Sequence, residues 1–132
     1  MKLIFCIDKD NGLSFFGKRQ SQDKTLCDYI ISMVGDARLF MNEYSAKLFP
    51  PSDNIVVDND FLEKAGEGDY SLVELKECSL ENAEGVILCN WNRRYPSDKK
   101  FTHDLKGFEK THTEDIVGSS HEKITITTYE RK

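Results

Sequence analysis

The chain has 132 residues, of which 39% are apolar and 31% charged, with a net charge of −5. This length supports one domain with a real core, and eight Phe, five Tyr and one Trp exclude a disordered chain. The acidic balance makes duplex nucleic acid an unsuitable main partner, and no apolar run reaches the roughly 18 residues of a membrane span.

In chain order, Leu3-Ile4-Phe5-Cys6-Ile7 is an unbroken apolar run ending in "DKDNG". Such a run fits a central strand covered on both faces. It reads as a first strand and not as a signal peptide. "LSFFGKRQSQ" reads as a loop hinged at Gly17, and Ser21 or Asp23 can cap the helix that follows. Leu26, Tyr29, Ile30 and Met33 keep helical spacing up to a Gly35 C-cap. Next come a strand near Arg38–Met41 and a helix near Glu43–Phe49, stopped by Pro50-Pro51. "NIVVD" predicts a short buried strand, "NDFLEK" a helical turn, "YSLVEL" a strand and "SLENAE" a short helix. "GVILCNWNRRY" predicts one long strand that turns polar after Cys89, and "KKFTHDL" a short extended piece. "FEKTHTEDIV" and "KITITTYERK" alternate with period two and predict an antiparallel hairpin joined by "GSSHE". The order is α/β: a mixed sheet, mostly parallel, with an antiparallel C-terminal hairpin.

No repeat, linker or low-complexity stretch divides residues 1–132, so one domain is expected. Cys6, Cys27, Cys78 and Cys89 form no C-x-x-C pair and read as reduced thiols in a cytoplasmic protein. No metal site is expected.

Several strings taken together resemble the dihydrofolate reductase-like fold in a reduced size. "IDKDNGL" with "FFGK" resembles the first strand and mobile loop of those reductases. "RLFMNEYSAKLFPPSDNIVV" resembles their second strand, phosphate-turn helix and third strand. "GVILCNWNRRYPSDKKF" resembles their long penultimate strand, and "FEKTHTEDIVGSSHEKITITTYERK" their terminal hairpin. The departures bear on function. Where those reductases carry Gly-Arg-x-Thr, this chain has Asn42-Glu43-Tyr44-Ser45, and only Ser45 offers a hydroxyl in place of the Thr. Their later Gly-Gly turn has no counterpart in "KECSLENAEG". Their substrate-binding carboxylate on the first helix has a counterpart only in Asp23 or Asp28. The resemblance therefore implies the fold without an intact NADPH site, and no cofactor is expected. The chain also resembles short bacterial proteins to which a ribonuclease Z activity is attributed. That activity needs a His-x-His-x-Asp-His cluster for two zinc ions, whereas His103, His112 and His121 stand alone.

In the resembled fold the loop before the first helix lies near the loop of the terminal hairpin. Arg19, Gln20, Ser21 and Asp23 would then face Ser119, Ser120 and His121. Arg19 would offer a donor fork for carboxylate or phosphate, and His121 a proton donor or acceptor, which makes it the one catalytic candidate. Asn42 either takes a positive φ or caps its helix, the cap being favoured. Ser45 would join it at the turn. Strand alternation would put Trp91 and Arg93 on one face, a patch able to stack and hydrogen-bond a base, although a Trp there more often lids a core. The leading expectation is a cytoplasmic protein that binds a small polar or nucleotide-like ligand, or a protein partner. The alternatives are a divergent NADPH- or flavin-dependent reductase, a hydrolase or ribonuclease, and a homodimer formed through an exposed terminal strand.

Overall fold

A computed structural model describes every residue from Met1 to Lys132. The main sheet has seven strands: β1 (Lys2–Ile7), β4 (Leu39–Met41), β5 (Ile55–Val57), β6 (Tyr70–Leu72), β7 (Gly85–Asn90), β9 (Phe108–Ile116) and β10 (Ile124–Arg131). Their spatial order is β5-β4-β6-β1-β7-β10-β9. The first five are parallel to one another, and β10 and β9 add an antiparallel edge. The mostly parallel sheet with its C-terminal hairpin is thus the predicted architecture.

The unbroken apolar run of β1 has a direct cause. Leu3, Phe5 and Ile7 feed the core on one face, and Ile4 feeds the core on the other. Helix α1 (Lys24–Val34) covers this second face with Leu26, Ile30 and Val34. Its N-cap is Asp23, not Ser21, and Gly35 ends it at φ 61° with its N–H on the Ile31 carbonyl. The first face lacks a comparable helix. Phe61 of α3 (Phe61–Lys64) covers it together with the loop residues Leu80, Ala83 and Phe101.

Four local expectations are corrected. Helix α2 spans only Glu43–Ala46, because the Leu48 and Phe49 N–H groups bond the Ser45 and Ala46 carbonyls three residues back, a tighter turn that leads into Pro50-Pro51. "SLENAE" forms turns, not a helix: the Ser79 hydroxyl accepts the Glu81 N–H and competes with helical pairing. β5 is an edge strand, half-buried, with Val57 47% exposed. β7 stops at Asn90, because Asn92 takes φ 58° and its amide donates to the Lys123 carbonyl and the Thr125 hydroxyl. The strand alternation that paired Trp91 with Arg93 therefore does not extend past Asn90.

"LSFFGKRQSQ" is an ordered hairpin and not a plain loop. β2 (Gly12–Phe15) pairs with β3 (Lys18–Arg19), and β8 (Lys99–Lys100) adds a third short strand on the other side of β2. The two-residue turn puts Phe16 at φ 51° and Gly17 at φ 70°. Both angles are positive, the geometry that favours Asn-Gly. Phe16 is 77% exposed and gains only contact with the Phe15 ring. Replacing Phe16 with Asn is expected to stabilise the fold by about 1 kcal/mol. Urea denaturation checks this, and a lower midpoint would contradict it.

Candidate functional site

In an open parallel sheet, ligands bind in the crevice beyond the carboxyl ends of the strands. Here that crevice is bounded by Asp8 after β1, Asn42 after β4, Glu74 two residues past β6, and Trp91 after β7. The hairpin β2–β3 folds over it.

Glu74 is the group the sequence reading missed. Its side chain is only 7% exposed. It accepts two hydrogen bonds from the Arg19 guanidinium, Nε at 2.8 Å and Nη2 at 2.9 Å, and a third from the Ser45 hydroxyl at 2.7 Å. Arg19 also stacks on the Tyr44 ring, 4.0 Å from its centroid, and donates to the Tyr44 carbonyl. The donor fork of Arg19 is therefore spent inside the protein and does not face His121. Ser45 is likewise turned inward, and the Asn42 side chain accepts the Ser45 N–H at φ −84°, so Asn42 caps and takes no positive φ. Two cavities of about 10 and 20 Å³ remain beside Glu74. The smaller has room for about one water molecule.

Asp8 organises the other rim. One oxygen accepts the N–H groups of Asp10 and Gly12, and the other accepts Gln20 Nε2 and the Tyr95 N–H. Burial pushes its carboxyl up, but these donors outweigh burial and hold it below the usual carboxylate range. Gln20 is thus fixed between Asp8 and the Pro96 carbonyl.

The loop before α1 and the hairpin loop do meet. The Asp23 side chain is fully buried. Its Oδ1 accepts the N–H groups of Leu26 and Ser119 and the Ser119 hydroxyl, at 3.2, 3.0 and 3.1 Å. Its Oδ2 accepts the Ser120 N–H at 2.8 Å and lies 2.9 Å from His121 Nδ1. Burial pushes the Asp23 carboxyl up, but His121 and the Ser120, Ser119 and Leu26 N–H groups dominate and hold it far below the usual range. The turn backbone approaches so closely that a Cβ at Gly118 would collide with the Asp23 carboxylate. Opposite Asp23, His121 Nε2 meets the Ser21 hydroxyl at 3.0 Å and the Tyr95 hydroxyl at 2.9 Å. Trp91 stacks on the imidazole, ring centroids 4.5 Å apart. Tyr95 was not foreseen, since it lies 26 residues from His121 in the chain.

The candidate residues thus divide. Ser21, Asp23, Ser119, Ser120, His121 and Trp91 form one cluster. Arg19, Asn42 and Ser45 belong to the Glu74 network, and Gln20 to Asp8. Arg93 is exposed and outside that cluster, on an open cleft of about 360 Å³ that it lines together with Trp91, Lys9 and Lys123. Asp28 is exposed on the outer side of α1. A groove of about 310 Å³ lies beside the crevice, between β2–β8 and residues 73–78. Phe5, Leu13 and Val73 line it, with Glu74, Lys76, Glu77, Lys99, Lys100 and His103 around them. No helix is long and apolar enough to cross a membrane.

No known protein family's sequence profile and no curated protein matches the chain. Its structure matches that of dihydrofolate reductase from Enterococcus faecalis complexed with NADP(H) and RAB-propyl, with a TM-score of 0.67. The match covers 99% of this chain and 95% of the reductase at 12% identity. The chain therefore has a dihydrofolate reductase-like fold.

Proposed function

We propose that this dihydrofolate reductase-like chain does not hold a nicotinamide dinucleotide in its crevice and instead binds a small polar, nucleotide-like ligand in the neighbouring groove. One observation carries the reading: the pair of half-buried Arg19 with the buried Glu74 carboxylate fills the crevice and leaves cavities of only about 10 and 20 Å³. The charges agree. Glu74 brings a carboxylate into the crevice, and Glu43 puts another at the start of α2, where an anion would be repelled. The helix itself is four residues long and offers little dipole to a phosphate.

The groove is roomier and carries more positive charge. Its floor is apolar, and Lys76, Lys99 and Lys100 bring three cations against the carboxylates of Glu77 and of Glu74, which Arg19 already holds. Lys99 is paired with Glu77, but both side chains are more than half exposed, so this pair is worth little and yields readily to a ligand anion. A flat base over Phe5 and Leu13 with its phosphate toward β8 suits this lining.

Titration of the full chain with AMP, followed by amide NMR, is expected to shift Lys99, Lys100, Thr102 and His103. Reversing both Lys99 and Lys100 to Glu is expected to weaken binding by roughly tenfold. NADPH is expected to leave the spectrum unchanged at millimolar concentration. Binding of NADPH with shifts at Arg19 and Glu74 would overturn the proposal and restore the reductase reading.

A further inference from the structure

We infer that Ser21, His121 and Asp23 form a nucleophilic relay that transfers an acyl group to water. The three residues come from separate elements and converge with one role each. Asp23, ionised and acceptor-only, accepts a hydrogen bond from His121 Nδ1–H at 2.9 Å and so fixes Nε2 as the acceptor. Ser21 Oγ lies 3.0 Å from that acceptor. Trp91 holds the imidazole plane from one side. This is the nucleophile, base and orienting carboxylate of acyl transfer, recognised by geometry and not by sequence order.

Two further features fit the reaction. The N–H groups of Ser21 and Gln22 have no partner within the chain. They stand beside the nucleophile, where an oxyanion needs donors. Ser21 also borders the 20 Å³ cavity, whose walls include Leu26, Cys27, Leu48, Phe49 and Leu72. That volume is about one or two water molecules, so the ester itself lies in the adjoining open cleft. Gln22, Asp23, Cys27, Leu48 and Phe49 line both this cavity and the open cleft, which has a volume of about 460 Å³.

The step balances without a cofactor. Ser21 Oγ attacks the ester carbonyl carbon as its proton passes to His121 Nε2. The C–O bond to the alcohol breaks, and the departing oxygen takes that proton. Water, deprotonated by the same nitrogen, then attacks the acyl-Ser21 carbonyl. The carboxylic acid leaves and Ser21 regains its proton.

Tyr95 makes the inference testable. Its hydroxyl lies 2.9 Å from Nε2 and competes with Ser21 for the single lone pair of a neutral imidazole. If the cluster only ties the loops together, losing Tyr95 can weaken the fold but cannot activate Ser21. In the relay, losing Tyr95 frees the base. The full chain would be treated with a fluorophosphonate probe and the adduct located by peptide mass spectrometry, with p-nitrophenyl acetate hydrolysis followed in parallel. The adduct is expected on Ser21 and is lost in Ser21→Ala. His121→Gln is expected to slow labelling about 100-fold, the usual contribution of a positioned base. Tyr95→Phe is expected to speed it roughly twofold or more, because the lone pair is no longer shared. Absence of an adduct, an adduct on another residue, or a labelling rate unmoved by Tyr95→Phe would overturn the inference. The Tyr95 variant keeps the test decisive even if His121→Gln does not fold.

Discussion

Replacing Asp23 with Ala is expected to destabilise the protein by about 3–5 kcal/mol, because it leaves several buried donors unpaired at about 1–3 kcal/mol each. Both oxygens of Asp23 are fully buried, and together they accept five hydrogen bonds. Without the carboxylate, His121 Nδ1 loses its acceptor in a site where His121 is 3% exposed. The Ser119 and Ser120 N–H groups lose theirs at the same time. Asn is a poor substitute, because its NH2 group would face donors. Urea denaturation checks the value, and a loss under about 1 kcal/mol would mean that water satisfies these donors.

The same carboxylate sets an acid limit. Its folded pKa lies far below the ordinary value of about 3.9 that it has in the unfolded chain. Between those two values the unfolded chain binds the proton and the folded chain does not. The Asp23 contribution is therefore complete above about pH 5 and declines as pH falls toward the folded value. Asp8, held low by its own donors, declines in the same direction. The Ala variant should show a shallower loss of stability with acid than the parent, because it has already lost the Asp23 contribution.

Asp23 also marks how far the sequence was legible. It is visible as a cap candidate, because a cap is a local signal: Asp three residues before the Leu26 N–H it accepts. That "GSSHE" lies opposite this cap follows only from the resemblance, since the hydrogen bonds span 96 to 98 residues. The β1 run, the α1 stripe and the hairpin alternation were legible for the same local reason: burial on two faces, one stripe or one side leaves its own period. Glu74 left no such trace. It follows the buried Ser71-Leu72-Val73 and looks like an ordinary polar residue after a strand. Its partner Arg19 is 55 residues away, on a hairpin that reads as a loop because Phe16 occupies a turn position usually given to Asn. The polar ends of "SLENAE" and "NWNRRY" misled in another way. Ser79 and Asn92 bond to backbone groups and take the chain out of the element their neighbours favour.

Replacing Arg19 with Ala is expected to cost about 3–5 kcal/mol, because it strands the Glu74 carboxylate in the crevice with only the Ser45 hydroxyl and the cost of an uncompensated buried charge dominates. The Arg19–Tyr44 stacking is lost as well. The pair itself is a different quantity. Taking both ions out of water offsets much of their attraction, so Arg19→Met combined with Glu74→Met should be near neutral or stabilising by as much as about 4 kcal/mol. The two single variants and the double variant form a cycle that urea denaturation can close, with strong non-additivity expected because the residues touch. If the double variant instead loses as much as Arg19→Ala, the ion pair is specifying how β2–β3 seats on the sheet, and the apolar pair cannot replace its geometry. The distinction bears on function. An ion pair that adds little net stability while occupying the ligand crevice is costly to open on one side alone. A ligand that reaches the crevice must therefore bring a group that bonds Glu74 or Arg19 in place of the one it displaces. A dinucleotide pyrophosphate could replace Glu74 on Arg19 only by leaving that carboxylate buried and alone.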